Sequence, residues 1–125
     1  MAWFYDNRFD VHPQLEEVVC VDRVYCLPVL YYLDEEWEEL GSIFQNLPGF
    51  LGRGITPLTY CLPFWFGYEV NDDDIFRFED ESGIYLCASS EPSGLQISGN
   101  VRLEDWLEWT QRFEEQAGKL RHFEV

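Results

Sequence analysis

Cations, histidines and long apolar runs are all scarce in this sequence, and each shortage closes off a class of function. Eight lysines and arginines stand against 24 aspartates and glutamates in 125 residues. A body so poor in positive charge repels nucleic acid and anionic membrane, so neither is expected as a direct partner. The two histidines, His12 and His122, and the four cysteines, Cys20, Cys26, Cys61 and Cys87, include no C-x-x-C pair, so the close ligand pairs of a structural zinc site are missing. The cysteines fall mostly in apolar runs such as Val18-Val19-Cys20-Val21 and Tyr85-Leu86-Cys87-Ala88, and they read as small buried hydrophobes. A disulfide framework would need an oxidising compartment. The start, Met1-Ala2-Trp3-Phe4-Tyr5-Asp6, lacks the basic and apolar regions of a secretory signal. The longest apolar stretches, such as Cys61 to Tyr68, fall far short of the roughly 20 residues of a membrane span. A cytoplasmic protein is the expectation.

Spacings that carry chemistry are equally scarce. The glycine-rich run Gly49-Phe50-Leu51-Gly52-Arg53-Gly54 lacks the Gly-Lys-Ser/Thr ending of a phosphate loop, and Ile55-Thr56-Pro57 after it opens no helix. It reads as a structural loop leading to a sheet. Asp72-Asp73-Asp74, with Asp80 nearby, lacks the alternating ligands, glycine turn and distal glutamate of a calcium loop; it reads as a charged hairpin turn. None of the serines lies in a Gly-x-Ser-x-Gly elbow. His12 precedes Pro13, which suggests a loop, and a cysteine–histidine pair has no local support. The sequence therefore predicts no cofactor, no metal and no enzymatic activity.

What the chain has in abundance is acid and aromatic surface. The net charge is −16, with aromatics at 18% and hydrophobic residues at 46%, so this is no disordered acidic tail, whose signature is few aromatics. The acids are spread evenly: residues 1–62 carry ten against three bases, and residues 63–125 carry fourteen against five. The length suits one domain spanning residues 1–125, and a folded negative body of this kind accelerates association with cationic partners.

The pattern predicts an α+β fold. From about Pro63 to Val101 it reads as a four-stranded antiparallel meander. Phe64, Phe66, Tyr68 and Val70 alternate with Trp65, Gly67, Glu69 and Asn71, Ile75 to Glu79 alternates again, and Ile84 to Ala88 and Leu95 to Ser98 follow, with Ser89 to Gly94 as a loop. Leu15 to Tyr32 supplies one or two N-terminal strands broken at Pro28. A helix is expected over about 34–47, with Asp34 as N-cap and Trp37, Leu40, Ile43, Phe44 and Leu47 on its apolar face. A C-terminal helix over about 103–118 carries the stripe Leu103, Trp106, Leu107, Thr110, Phe113, Ala117 and Leu120, and His122 to Val125 adds a short edge strand. Candidate partner-binding residues lie where acids and aromatics coincide: Asp34, Glu35, Glu36, Glu38 and Glu39; Asp72, Asp73 and Asp74; Glu104, Asp105 and Glu108; and Trp109, on the flank of its stripe. Trp65, opposite Phe64 and Phe66, is open to either a core or an interface role.

The ending Gly99-Asn100-Val101-Arg102-Leu103-Glu104-Asp105-Trp106-Leu107-Glu108-Trp109, followed by Phe113, Ala117 and Leu120 to Val125, resembles the C-terminal strand–helix–strand of small bacterial immunity proteins. These protect a cell from polymorphic toxins, including those of contact-dependent growth inhibition. The resemblance covers the last third of the chain and transfers no binding residue. It implies a cytoplasmic protein, usually encoded beside its toxin, that neutralises a toxin domain by binding it; many such toxins are nucleases with basic clefts. An acidic DNA mimic or adaptor that binds a basic housekeeping or restriction protein is the alternative.

Overall fold

The computed structural model describes residues 2–13, 15–53, 63–66 and 84–124. It is an α+β fold built on a six-stranded, wholly antiparallel sheet with two helices. In chain order the elements are β1 (Phe4–Val11), β2 (Val18–Tyr25), a 3-10 turn (Val29–Tyr31), α1 (Asp34–Gln45), β3 (Phe50–Arg53), β4 (Pro63–Trp65), β5 (Tyr85–Glu91), β6 (Gly94–Arg102) and α2 (Leu103–Ala117). The strand order across the sheet is β1-β2-β6-β5-β4-β3.

The alternation of side chains along each strand decides which face meets the helices. Val19, Val21 and Tyr25 of β2, Leu95, Ile97 and Val101 of β6, and Leu86 and Ala88 of β5 join one buried cluster with Leu40, Ile43 and Phe44 of α1 and Trp106, Trp109 and Phe113 of α2. Both helices thus lie on the same face. The opposite face of the central strands is more polar: Gln96 Nε2 donates to Asp22 at 2.9 Å, and the Cys87 thiol lies 3.8 Å from the Ser98 hydroxyl. Burial pushes the Cys26 and Cys87 thiols above their ordinary range, in keeping with cysteines used as packing atoms; Cys61 lies outside the described residues.

Four aromatic rings organise the helix-facing core. Trp109 stacks on Phe113 at 5.1 Å and lies parallel to Trp106 at 6.3 Å, while Trp65 of β4 meets it edge-on at 5.1 Å. Such pairs contribute about 0.5–1.5 kcal/mol each beyond the apolar area they bury. One cation is tied into this layer. Arg23 Nε and Nη2 bond the Asp6 carboxylate at 2.7 and 3.1 Å, and its Nη1 reaches Glu114 of α2 at 3.2 Å. Its guanidinium lies 4.0 Å from the Phe4 ring centre and 5.1 Å from that of Trp106. Burial opposes the charge there, but the bonds to Asp6 and Tyr25 outweigh it and raise the guanidinium pKa. Tyr25 completes the node by donating to Glu114 at 2.8 Å; burial, reinforced by the Glu114 charge, holds its hydroxyl protonated far above the usual range.

Several sequence expectations need correction. Phe4–Val11, a segment to which no element was assigned from the sequence, is edge strand β1. Its alternation is masked by charge, because only Phe4 and Arg8 of its side chains are even half-buried. The loop expected over Ser89–Gly94 shrinks to Pro92-Ser93, with the hairpin strands running from Tyr85 to Glu91 and from Gly94 to Arg102. The expected loop after Gly49 is strand β3, entered through Gly49 at φ +76°. Of the strand expected over Phe64–Val70, residues 67–70 lie outside the described residues; β4 covers Pro63–Trp65, and Phe66 turns away at φ +59° while donating its N–H to Gly49 O at 2.9 Å. β4 pairs directly with β5, so no strand intervenes between them as a simple meander would require; Ile75 to Glu79 lies outside the described residues. No strand forms over residues 122–124, although Phe123 N donates to Cys26 O at 3.0 Å. The helix expected over 34–47 ends at Gln45, and its N-cap is Leu33, not Asp34. The C-terminal helix ends at Ala117, one residue short of the expectation.

Candidate functional site

No described helix is long and apolar enough to cross a membrane. Among the described residues exposed large apolar side chains lie on β1 (Tyr5, Phe9 and Val11), on α2 (Leu103 and Leu107) and at Leu51 and Phe123, and four more, Leu30, Tyr31, Leu33 and Trp37, fall in one short stretch. Pro28 opens the 3-10 turn, which buries Val29, and Tyr32 packs inward with its hydroxyl donating to Arg121 O at 2.6 Å. A turn this tight cannot bury every side chain along it. Leu30, Tyr31 and Leu33 are therefore left outside, at 55, 77 and 68% exposure, and Trp37 on the next turn is 38% exposed. Trp37 was expected in the core; instead it meets the Tyr32 ring edge-on at 6.2 Å.

This platform is held from behind by one arginine. Arg121, from the tail beyond α2, forks onto Glu36 with Nε–Oε2 at 3.1 Å and Nη2–Oε1 at 2.8 Å, and Nη2 also donates to Tyr31 O at 2.8 Å. Glu36 in turn accepts from Leu33 N at 3.0 Å, the half of a capping box that satisfies a free N–H at the helix start. The Arg121 hydrogen bond, then that of Leu33, pulls the Glu36 carboxyl below its ordinary range. Burial first, then the Glu36 charge, pushes the Tyr32 hydroxyl up to about 12. Around this fixed support Asp34, Glu35, Glu38 and Glu39 are all exposed, and none of them pairs with a cation among the described residues.

The second acidic segment lies elsewhere. Arg121 meets Glu36 in the first turn of α1, whereas Phe44 near the end of α1 stacks on Phe113 at 6.2 Å. The helices therefore run antiparallel and their acidic starts lie at opposite ends of the layer, separated by roughly 20 Å along α2. At that far end Glu104 borders a trough of about 280 Å³ with Glu17, Arg102, Leu103 and Leu107. Glu108 pairs with Arg112 at 3.1 Å, and Asp105 is half-buried. A neighbouring groove of about 580 Å³ runs from Leu107 past Thr110 and Glu114 to Asp6 and Phe9.

The structure thus splits the candidate partner-binding residues. Asp34, Glu35, Glu38 and Glu39 gather at the platform with Glu36, which is committed to its clamp; Glu104, Asp105 and Glu108 form a separate patch; Asp72, Asp73 and Asp74 lie outside the described residues. Trp109 offers no surface at all, being 0% exposed, and Trp65 is equally buried. Leu30, Tyr31 and Leu33 were missed because Leu15 to Tyr32 read as strand. The available signal was Pro28 followed within five residues by four large apolar side chains, Leu30 to Leu33, too many for one turn to bury.

His12 Nδ1 accepts from Leu15 N at 3.0 Å in the turn between β1 and β2, and the His122 ring lies against Trp3 at 4.9 Å. Among the described residues no group of three or more histidines, cysteines and carboxylates is placed to hold a metal ion. Comparison with protein-family models, with curated proteins and with solved structures gives no match for this chain.

Proposed function

We propose that this protein is a non-catalytic binder of a basic protein, acting as an immunity protein that neutralises a cognate toxin domain in the cytoplasm of the cell that makes it. The observation that carries the reading is the platform: exposed Leu30, Tyr31 and Leu33 on a clamped segment, bordered by four carboxylates that pair with no cation among the described residues. Interfaces draw most of their energy from a few large apolar or aromatic anchors ringed by polar groups, and charge of one sign around such anchors speeds encounter with a partner of the other sign. Elsewhere the molecule spends its cations internally. Among the described residues Arg8, Arg23 and Arg112 pair with carboxylates, as Arg121 does at the platform, and since each pair cancels equal charges the excess of −16 stays with the other side chains. The toxin assignment itself rests on the resemblance of the C-terminal segment to immunity proteins.

The test is co-expression with the product of the gene adjacent to this one. Rescue of growth from that product's toxicity, with co-purification of the two chains, is the expected result. Failure of both would remove the immunity assignment and leave an acidic adaptor of some other basic protein.

A further inference from the structure

We infer that the Leu30–Tyr31–Leu33 platform, and not the trough beside Leu103 and Leu107, is the docking seat, and that its occupant is a basic amphipathic segment of the partner protein. The inference rests on the binding reading above and deepens it by naming the surface and the chemistry it takes. Two acid-bordered apolar surfaces compete for the role, and they differ in charge and in support. At the trough the carboxylates are partly answered on site: Arg102 lines it together with Glu17 and Glu104, and Arg112 holds Glu108. At the platform Arg121 is consumed by Glu36, and Asp34, Glu35, Glu38 and Glu39 pair with no cation among the described residues. A segment with lysines or arginines flanking an apolar stripe complements that arrangement: its stripe covers Leu30, Tyr31 and Leu33, and its cations face the first two turns of α1.

Arg121 is a positioning residue for this seat. Its fork fixes the Tyr31 carbonyl and the Glu36 carboxylate together, so the three anchors stand on backbone that is ordered before the partner arrives, and less ordering entropy is lost on binding. The arrangement gives a sign test. Removing a positive charge from an acidic surface speeds capture of a basic ligand by electrostatics alone, whereas losing the clamp hastens release.

The probe is a synthetic helical peptide of about 15 residues, a length of about 22 Å, with a leucine and phenylalanine stripe flanked by lysines, measured by surface interferometry at low salt. Loss of about tenfold in affinity is expected when Leu30→Ser, Tyr31→Ser and Leu33→Ser are combined, since anchors of this kind carry most of an interface's energy. Leu103→Ser with Leu107→Ser, equally neutral in charge, should change it by less than about twofold. The single change Tyr31→Ser, at the most exposed of the three, serves if the triple variant does not fold. The reverse ranking of platform and trough would overturn the seat while leaving a basic partner in place. A wild-type protein that does not bind the peptide at all would overturn both. For the clamp, Arg121→Leu should capture the peptide at least as fast as wild type and release it about threefold faster or more; Arg121→Lys, which keeps the charge and loses the planar fork, should also release faster. Unchanged release in both variants would overturn the positioning role.

Discussion

Trp65 and Trp109 are buried to the same degree and touch each other, yet their indole N–H groups fare differently. Trp65 Nε1 donates to Phe44 O at 3.1 Å, whereas Trp109 Nε1 has no partner among the described residues. A buried donor left unmade costs about 1–3 kcal/mol, so replacing Trp109 with phenylalanine removes a liability together with some packing volume. Replacing Trp65 with phenylalanine removes volume and also a made hydrogen bond to the Phe44 carbonyl near the end of α1, which Leu47 N still reaches at 3.3 Å. Urea unfolding should therefore show Trp65→Phe to be more destabilising than Trp109→Phe by about 1 kcal/mol or more; equal losses, or the opposite order, would mean that the two N–H groups do not differ energetically. Trp109 also shows why a helix phase read by eye fails. At about 100° per residue, Trp109, Leu120, Phe113, Trp106, Ala117 and Thr110 span about 100° of the wheel, and all are buried. Leu103 and Leu107 fall beyond one edge and are exposed. Anchoring the stripe on its first leucine shifted it toward that edge and pushed Trp109 to the flank. Trp37 shows the same error in α1, for it sits about 70° from the centre of the arc set by Leu40, Ile43, Phe44 and Leu47.

At the scale of elements, those whose burial is one-sided and strongly periodic were legible. Both helices were found to within two residues of their ends, and β5 and β6 were found as alternating runs, because a period of 3.6 or 2 is imposed by a single covered face. The elements that escaped have other causes for their sequence. β1 is an edge strand that carries Asp6, Arg8 and Asp10 and shifts register between Asp6 and Arg8. Charge and irregularity of that kind protect an open edge from pairing with other chains, and they erase the alternation that would reveal it. The platform escaped for a related reason: apolar side chains on its tight turn are exposed, so hydrophobicity there reports a surface. The β5–β6 hairpin offers a test of how tightly the central strands are specified. Gly99 of β6 sits at φ +148°, and a Cβ at that position would overlap the Tyr85 carbonyl oxygen of β5 and press on the Leu86 backbone. Neither obstacle is a movable side chain. Gly99→Ala should cost at least about 2 kcal/mol, from a backbone conformation foreign to L-residues and a strand forced apart. A shift in urea midpoint corresponding to less than about 0.5 kcal/mol would show that β6 relaxes there without consequence.

For the molecule as a whole, the charge that would serve partner capture also works against the fold. With a net charge of −16 and four arginines already drawn into ion pairs, the remaining carboxylates repel one another across a compact body. Unfolding separates them, so repulsion lowers stability. Salt acts on two opposing terms. It weakens the ion pairs, of which the Arg112–Glu108 and Arg8–Asp10 pairs are open to solvent on both sides; such pairs contribute only about 0–1 kcal/mol each. It also screens the repulsion, which is summed over many charges spaced farther apart than any bonded pair. The Debye length falls from about 30 Å at 0.01 M to about 10 Å at 0.1 M, so the long-range repulsion is lost over that interval while contacts near 3 Å keep most of their attraction. The thermal midpoint should therefore rise between 0.01 and about 0.1 M sodium chloride and change little beyond it. Over the same interval association with a basic ligand should slow steeply, because steering depends on the same unscreened field. A midpoint that falls with added salt would show that local ion pairs dominate the electrostatics of this fold, and the large negative charge would then not be a cost that binding has to justify.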